Sequence, residues 1–562
     1  MRASRFAVGA TGLVAVLSAG VGTATAGASS GGWVPTHTRA LTKIVSAPTT
    51  TELGPLAAAT PMRIDVVLPV RRKGALTARV LAEANPSNAA YEHYMTARQF
   101  RAQFSPTEAT VSAVTGYLES QGFTQVSVDA NDLMVTADGT AAQVETAFDT
   151  TLDQFAILGD ATHPVYANVT AASVPEGLSG DVAAVLGLND FQASDQPQVA
   201  SPKTPLSGYY PKEFQTVYDA TGTATGSNTT IAVIAEGDLA GVLSDLRYAE
   251  AQQQLPRVPV TIVRTGPATT DTSGADEWDL DTQVSTGMAQ TVKRLYIYDM
   301  PTMTDTDLAH AINTWAGQDV AREGSASIGL PDILPFLDGS MLAIDTSVEE
   351  SAVQGQTFFA STGDTGASCA IEDTNGVPDS GVPAQLCYPA DGTWTTAVGG
   401  TTLVTDSSDN YMDELAWNAG GGGVSDLEYP GPWTDNANPA SAAGARGDPD
   451  IAMDADLTTG CLVYVDKTAE VVGGTSVSSP LAMGAYARVQ SAYTNTLGDG
   501  VLQFYRLYNN ANPSAPRTNA TPGFHDIIAG SNGGYTAAPG WDYTTGIGSI
   551  DVAALIKAFH PG

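Results

Sequence analysis

Thr230-Ile231-Ala232-Val233-Ile234-Ala235 is the stretch on which the fold turns. Six uncharged residues without polar alternation suit a parallel strand covered on both faces, because a strand with one wet face alternates. Thr357-Phe358-Phe359-Ala360 and Thr396-Ala397-Val398-Gly399 have the same character, and helix-like stretches fall at 244–254, 308–317 and 347–355. Strands and helices in alternation predict an α/β sheet of several parallel strands with crossover helices. Upstream the elements are shorter. Residues 62–68 alternate as a strand, 76–84, 108–122 and 141–148 read as helices, and 126–128 with 133–136 bracket a hairpin turn at 129–132. That order predicts a small antiparallel α/β unit ending near Leu188. Between the two regions lies a Pro/Ser/Gln-rich linker from about 193 to 205, a place for a protease to cut.

Charge narrows the partners. The 562 residues carry 25 Lys+Arg against 60 Asp+Glu, a net charge of -35, and no Lys or Arg falls between Arg322 and Arg446. Such a surface repels nucleic acid and anionic membrane, so neither is an expected partner. Self-repulsion relaxes in acid, although acidity can also serve solubility alone. Arg2 and Arg5 precede an apolar run from Phe6 to Gly20, and Ala24-Thr25-Ala26 offers a small-x-small cleavage site. This is the pattern of a secretory signal peptide over 1–26, and the expected location is extracellular. Cys369 and Cys387 can close one short loop in an oxidising compartment, leaving Cys461 unpaired.

Three stretches carry chemistry. In Gly473-Gly474-Thr475-Ser476-Val477-Ser478-Ser479-Pro480 two glycines release a tight turn, and Pro480 suits the first turn of a following helix. Ser476 then stands at a helix N-terminus, where N–H groups and the dipole stabilise an oxyanion. Taken alone, the commoner reading of that serine is an N-cap. A serine nucleophile needs a base, and the six histidines serve poorly: His37, His93 and His163 precede the linker, and His560 is in the tail. His525 adjoins an acidic segment and His310 sits on an ordinary helix; in acid an imidazole is protonated. Carboxylates can do the work. Glu277 and Asp281, in Asp276-Glu277-Trp278-Asp279-Leu280-Asp281, are four apart and stack on one helix face, favouring a shared proton. An acidic first turn facing solvent is the alternative. Asp364, in Ser361-Thr362-Gly363-Asp364-Thr365-Gly366, follows an apolar strand; protonated, it can donate to an oxyanion, or it simply makes an Asx-turn.

Together the three motifs resemble those of the sedolisin family, the serine-carboxyl peptidases of the kumamolisin type. Tyr388-Pro389-Ala390, residues 397–401 and Pro449-Asp450-Ile451-Ala452 match further, and residues 91–107 resemble the family's activation domain. The resemblance implies a subtilisin-like parallel-sheet catalytic domain preceded by a small antiparallel α/β, ferredoxin-like prodomain. By position it implies Ser476 as nucleophile, Glu277 as base, Asp281 as its partner and Asp364 as oxyanion donor. It also implies one structural Ca²⁺ held by the side chains of Asp526 and Asp542 and the carbonyls of Ile527, Ala538 and Gly540. The family often has glycine where Ala538 stands, and an alanine carbonyl serves if its backbone angles suit. The organisation expected is a signal peptide (1–26), an activation prosegment (27–192, folded core about 60–190), a linker cut on maturation (193–207) and a catalytic domain (208–562). Its partners are protein or peptide substrates and its own prosegment as intramolecular inhibitor. The expected activity is that of a secreted acid endopeptidase made as a zymogen; tripeptidyl release and a dead binding scaffold are the alternatives. Two departures bear on specificity. Ser327-Ile328-Gly329 stands where many relatives place an aromatic after the serine, and Ala235, followed by Glu236, occupies a spot where some carry glutamate.

Overall fold

The structure, a computed structural model, describes residues 32–47, 49–192, 198–199, 208–369, 386–434, 441 and 443–559. The expected signal peptide and most of the linker lie outside these residues. In the N-terminal unit, β1 (Pro61–Val67) is flanked by α1 (Lys73–Ala84), α2 (Ala97–Gln103) and α3 (Glu108–Ser120). The hairpin β2 (Thr124–Val128) and β3 (Met134–Thr140), α4 (Ala141–Phe148) and β4 (Ala184–Leu186) complete it. The four strands form one antiparallel sheet in the order β2-β3-β1-β4, the ferredoxin-like arrangement. One face packs on Val114, Leu118, Val144 and Phe148 of α3 and α4. Thr96, Thr107 and Thr140 each cap the helix that follows by accepting the N–H three residues on, which explains three sharp helix starts. The folded unit reaches back before residue 60: Trp33–Pro35 pairs with Ser173–Pro175, and Thr50–Pro55 pairs with Leu152–Ile157.

In the second unit β5 (Gly226–Glu236) runs through the middle of an eight-stranded sheet, and Ile231 to Ala235 have no exposed surface. Beside it lie β6 (Val260–Arg264), β7 (Val292–Met300), β8 (Glu323–Ala326), β9 (Thr357–Ser361) and β10 (Thr396–Thr405). They run parallel in the order β6-β7-β5-β8-β9-β10. Antiparallel β11 (Tyr411–Ala416) and parallel β12 (Ile451–Asp454) both pair with β10. The helices include α5 (Ala240–Gln252), α6 (Ala275–Ala289), α7 (Asp305–Gln318), α8 (Ser340–Val353) and, after the hairpin β13 (Cys461–Val465) and β14 (Thr468–Gly473), α9 (Thr475–Ala492). Three of them start three to seven residues before the expected positions; in α7 the polar first turn Asp305-Thr306-Asp307 carries no apolar period. Strand β7 escaped the sequence reading because Lys293 and Arg294 interrupt its apolar run.

The N-terminal unit sits on α7 and α8. Asn131 donates to Asn313 Oδ1 (2.8 Å) and Glu350 Oε2 (2.7 Å), Lys73 pairs with Glu349 (2.5 Å), and Met95 N–H reaches Val353 O (2.9 Å). In open parallel sheets ligands bind beyond the carboxyl ends of the strands, where strand order reverses. Here β7 and β8 lie on opposite sides of β5, and the chain just past β8 and β9 supplies Ser327 and Asp364.

Candidate active site

Strand β14 hands the chain to α9 through Gly474, at φ 112°. Glycine is required twice over: that φ lies in the left-handed half of the map, and a Cβ here would stand 2.4 Å from Asp364 Oδ2. Thr475 opens the helix and Ser476 follows in the same turn, where N–H groups have no helical acceptor. Two of these orphans are settled: Thr475 N–H donates to Asp364 Oδ1 (2.7 Å) and Val477 N–H to Gly474 O (2.9 Å). The Thr475 hydroxyl also donates to Asp364 Oδ1 (2.9 Å) and accepts from Gly363 N–H (3.0 Å), so helix start and strand end are laced together. Burial pushes the Asp364 carboxyl up to about 6, against the two Thr475 hydrogen bonds that favour its charged form.

Glu277 and Asp281 lie one turn apart on α6 and are 1% and 0% exposed. The solvent-facing reading of this acidic turn therefore fails: Trp278, Asp279 and Leu280 are buried with them. Helix α6 packs directly on α9, closely enough that a Cβ on Gly484 would lie 2.5 Å from Ser285 O. The Ser327 hydroxyl bridges the two helices, 2.7 Å from Asp281 Oδ1 and 3.3 Å from the Ser476 carbonyl. That carbonyl is available because of Pro480. The proline falls within α9 rather than in its first turn and brings no N–H to the residue four before it, which is Ser476. Ser327 thus closes a gap that Pro480 opens. Sequence reasoning marked Ser327 only for lacking an aromatic after it, and Thr475 not at all. A Thr between the second glycine and the serine was the available signal. Ala235 and Glu236, the other departure, are both buried at the carboxyl end of β5.

Other expected residues find their places. Cys369 and Cys387 are disulfide-bonded, with Cys387 against Gly363, and Cys461 is buried outside any disulfide. His310 lies on α7 and faces the N-terminal unit, with Nδ1 3.1 Å from Asp65 Oδ2 and Nε2 3.7 Å from Asp129 Oδ1. Burial disfavours its charged form, but Asp65, Asp129 and Asp307 outweigh that and hold it up to about 9. A histidine so paired is a cation at the interface between units, not a base for Ser476. In the C-terminal loops Asp542 accepts from Ala538 N–H (3.0 Å), Thr544 N–H (2.8 Å) and Thr545 N–H (3.0 Å), and Asp526 accepts from Gly540 N–H (3.1 Å). Burial and the neighbouring Asp542 both raise the Asp526 carboxyl. Ala538 keeps a negative φ, whereas Gly540 at φ 85° has no room for a Cβ beside Arg517 O. Two carboxylates on a glycine-bent loop offer oxygen, anionic donors of the kind a hard divalent cation takes, although among the described residues no group of three or more His, Cys, Asp or Glu is arranged to hold a metal ion.

Residues 48–191 match the family model of the pro-kumamolisin activation domain. Sedolisin of Pseudomonas sp. (strain 101) is 36% identical over 93% of this chain and 92% of its own length. Kumamolisin of Bacillus sp. (strain MN-32) is 28% identical over 92% of this chain and 94% of its own. Among solved structures, Pseudomonas sedolisin, a serine-carboxyl proteinase complexed with pseudo-iodotyrostatin, aligns with a TM-score of 0.56 at 35% identity, covering 63% of this chain and 99% of that one. The fold and the site define a serine-type peptidase with an N-terminal activation domain. The chain belongs to the sedolisin family of serine-carboxyl peptidases.

Proposed function

We propose that the chain is a secreted, acid-acting endopeptidase made as a zymogen, with Ser476 as nucleophile and Glu277 as general base. The observation that carries this is the Ser327 bridge, which ties the buried Glu277/Asp281 helix to the backbone of Ser476. Ser476 Oγ attacks the scissile carbonyl and its proton passes to Glu277. The negative charge that develops on the carbonyl oxygen is met by the N-terminal turn of α9 and by protonated Asp364, which is neutral below about 6. Glu277 then returns the proton to the departing amine, and water releases the acyl group by the same route. Asp281 sets the protonation of its neighbour. When Asp281 is protonated its O–H donates to Ser327 Oγ, freeing the Ser327 proton for the Ser476 carbonyl.

The N-terminal unit, docked on α7 and α8, is the prosegment, and 193–207 holds the maturation cut. The apolar run after Arg2 and Arg5 is the signal for secretion. Asp526 and Asp542, with carbonyls of 527, 538 and 540, fit one Ca²⁺. Bound there, the ion supplies no chemistry to the reaction and cross-links two C-terminal loops. An unfolded protein substrate incubated at pH 4 with wild type, Ser476→Ala and Glu277→Gln tests the reading. Internal cleavage by wild type alone is expected. Release of tripeptides only would replace endopeptidase with tripeptidyl-peptidase, and full activity of Glu277→Gln would remove the carboxylate base.

A further inference from the structure

Tyr94 belongs to the N-terminal unit, just ahead of α2, yet its ring lies between two turns of the catalytic unit. Two glycines make the room. Gly355 follows α8 at φ 74°, and a Cβ there would stand 2.6 Å from the Tyr94 ring. Gly498, at φ 75° in the turn after α9, faces the other end of the side chain, and a Cβ there would overlap the phenol oxygen. Any other residue at either place would be strained by its backbone and would close the slot. The Tyr94 hydroxyl donates to Leu497 O (2.7 Å). The next residue, Met95, donates its N–H to Val353 O (2.9 Å) and is itself buried.

The walls of this slot do not depend on Tyr94. Gly498 O accepts from the Tyr486 hydroxyl (3.0 Å) and from Gln490 Nε2 (2.8 Å), and Leu497 O also accepts from Gln503 Nε2 (2.8 Å). Gly355 N–H donates to Ala352 O (3.0 Å). Tyr486, Gln490 and Gln503 are buried residues of the catalytic unit, so the slot keeps its shape when the N-terminal unit leaves. A carbonyl oxygen has two lone pairs, and at Leu497 the second is then left for a new donor. The slot is remote from the chemistry. Gly355 comes just before the amino end of β9, whereas Asp364 follows its carboxyl end. Tyr486 and Gln490 stand about three to four turns along α9 from Ser476, roughly 15–20 Å at the α-helical rise. Burial raises the Tyr94 hydroxyl above the usual phenol value, and the carboxylates of Glu92, Glu83 and Asp499 add to it. A slot that desolvates its occupant so far takes an uncharged phenol and rejects an anion.

We infer that the catalytic unit carries a preformed exosite for a tyrosine side chain followed by an apolar residue. Tyr94 and Met95 fill it in the precursor, and a tyrosine-bearing peptide takes the same place once the N-terminal unit has gone. The occupant is held and not cut, because the slot opens at the edge of the sheet away from Ser476. For the mature form the inference rests on release of the N-terminal unit; the slot itself is tested without any cleavage.

The first experiment compares uncut full-length Ser476→Ala with the double variant Ser476→Ala, Tyr94→Ala, using p-cresol, the tyrosine side chain alone, as the probe. Near-UV circular dichroism checks that both chains are folded. A saturable rise in Tm of about 2 °C or more is expected for the double variant and none where Tyr94 is present, with phenyl phosphate inert. Equal shifts in both chains, or none in either, overturn the inference. A second measurement does not depend on the folding of the double variant: acid-matured wild type is titrated calorimetrically with N-acetyl-L-tyrosinamide, whose amide stands for the Met95 N–H. One site per chain is expected, about fivefold tighter than for N-acetyl-L-phenylalaninamide, with KM for a quenched peptide unchanged. Absence of binding, or competition with the peptide substrate, overturns the inference. A wild-type chain that never matures removes the peptidase reading instead, and the p-cresol result then decides the slot.

Discussion

Asp364→Asn and Asp364→Ala should behave as opposites. The carboxyl is held by two donors from Thr475 on Oδ1, 2.7 and 2.9 Å away, and its Oδ2 lies over the space left by the missing Gly474 side chain. An asparagine satisfies both Thr475 donors through its carbonyl oxygen and places its NH₂ where Oδ2 was. That amide donates as protonated aspartic acid does, but does not titrate. With a value of about 6, Asp364 is roughly nine-tenths neutral at pH 5 and a tenth neutral at pH 7, so the wild-type kcat should fall across that interval. Loss of one oxyanion donor typically costs about 3 kcal/mol, or 10²–10³-fold in kcat. Asp364→Ala should fall by that much at every pH. Asp364→Asn should stay within about tenfold of wild type at pH 4–5 and lose the alkaline limb near 6. The assay is initial-rate cleavage of a short internally quenched peptide by acid-matured enzyme after a jump to each pH, with near-UV circular dichroism as the folding control. The reasoning is refuted if Asp364→Asn falls as far as Asp364→Ala, or if its alkaline limb remains where the wild type's was.

Gly474→Ala should nearly abolish activity and lower Tm, since φ 112° and a 2.4 Å approach to Asp364 Oδ2 strain the turn by about 1–3 kcal/mol; a variant with wild-type kcat would refute the clash. Thermal stability should be highest in acid. Burial raises Asp332, Asp448 and Glu414 to about 7, and a carboxyl raised on folding contributes stability that is fully present below its unfolded value near 4 and lost as pH climbs through 7. Tm measured from pH 4 to 8 should therefore fall, and a rising curve would contradict the assignment. Chelation by EGTA at pH 5, or Asp542→Ala, should lower Tm and abolish binding of one Ca²⁺ per chain in calorimetry; equal Tm with and without chelator removes the calcium proposal.

The candidate site motifs were legible because each is local. Gly473-Gly474-Thr475-Ser476 encodes its own turn and helix start, and the Glu277/Asp281 spacing places two carboxyls on one face before any tertiary contact forms. The apolar strand at 231–235 likewise announced a sheet covered on both sides. What stayed hidden was long-range. No spacing links Ser327 to Asp281 and Ser476, 46 and 149 residues away, and the vacancy that Pro480 leaves on the Ser476 carbonyl has meaning only once Ser327 arrives.

His310 makes the same point in reverse. As a sequence it was one histidine on an unremarked helix; its role as a cation against Asp65 and Asp129 exists only because a separate folded unit is set upon α7. The chain alone determined which side chains could do the chemistry, because propensity and spacing act over a few residues. Packing decided which of them were buried, charged or joined, because desolvation and hydrogen bonding depend on neighbours that only the assembled fold supplies.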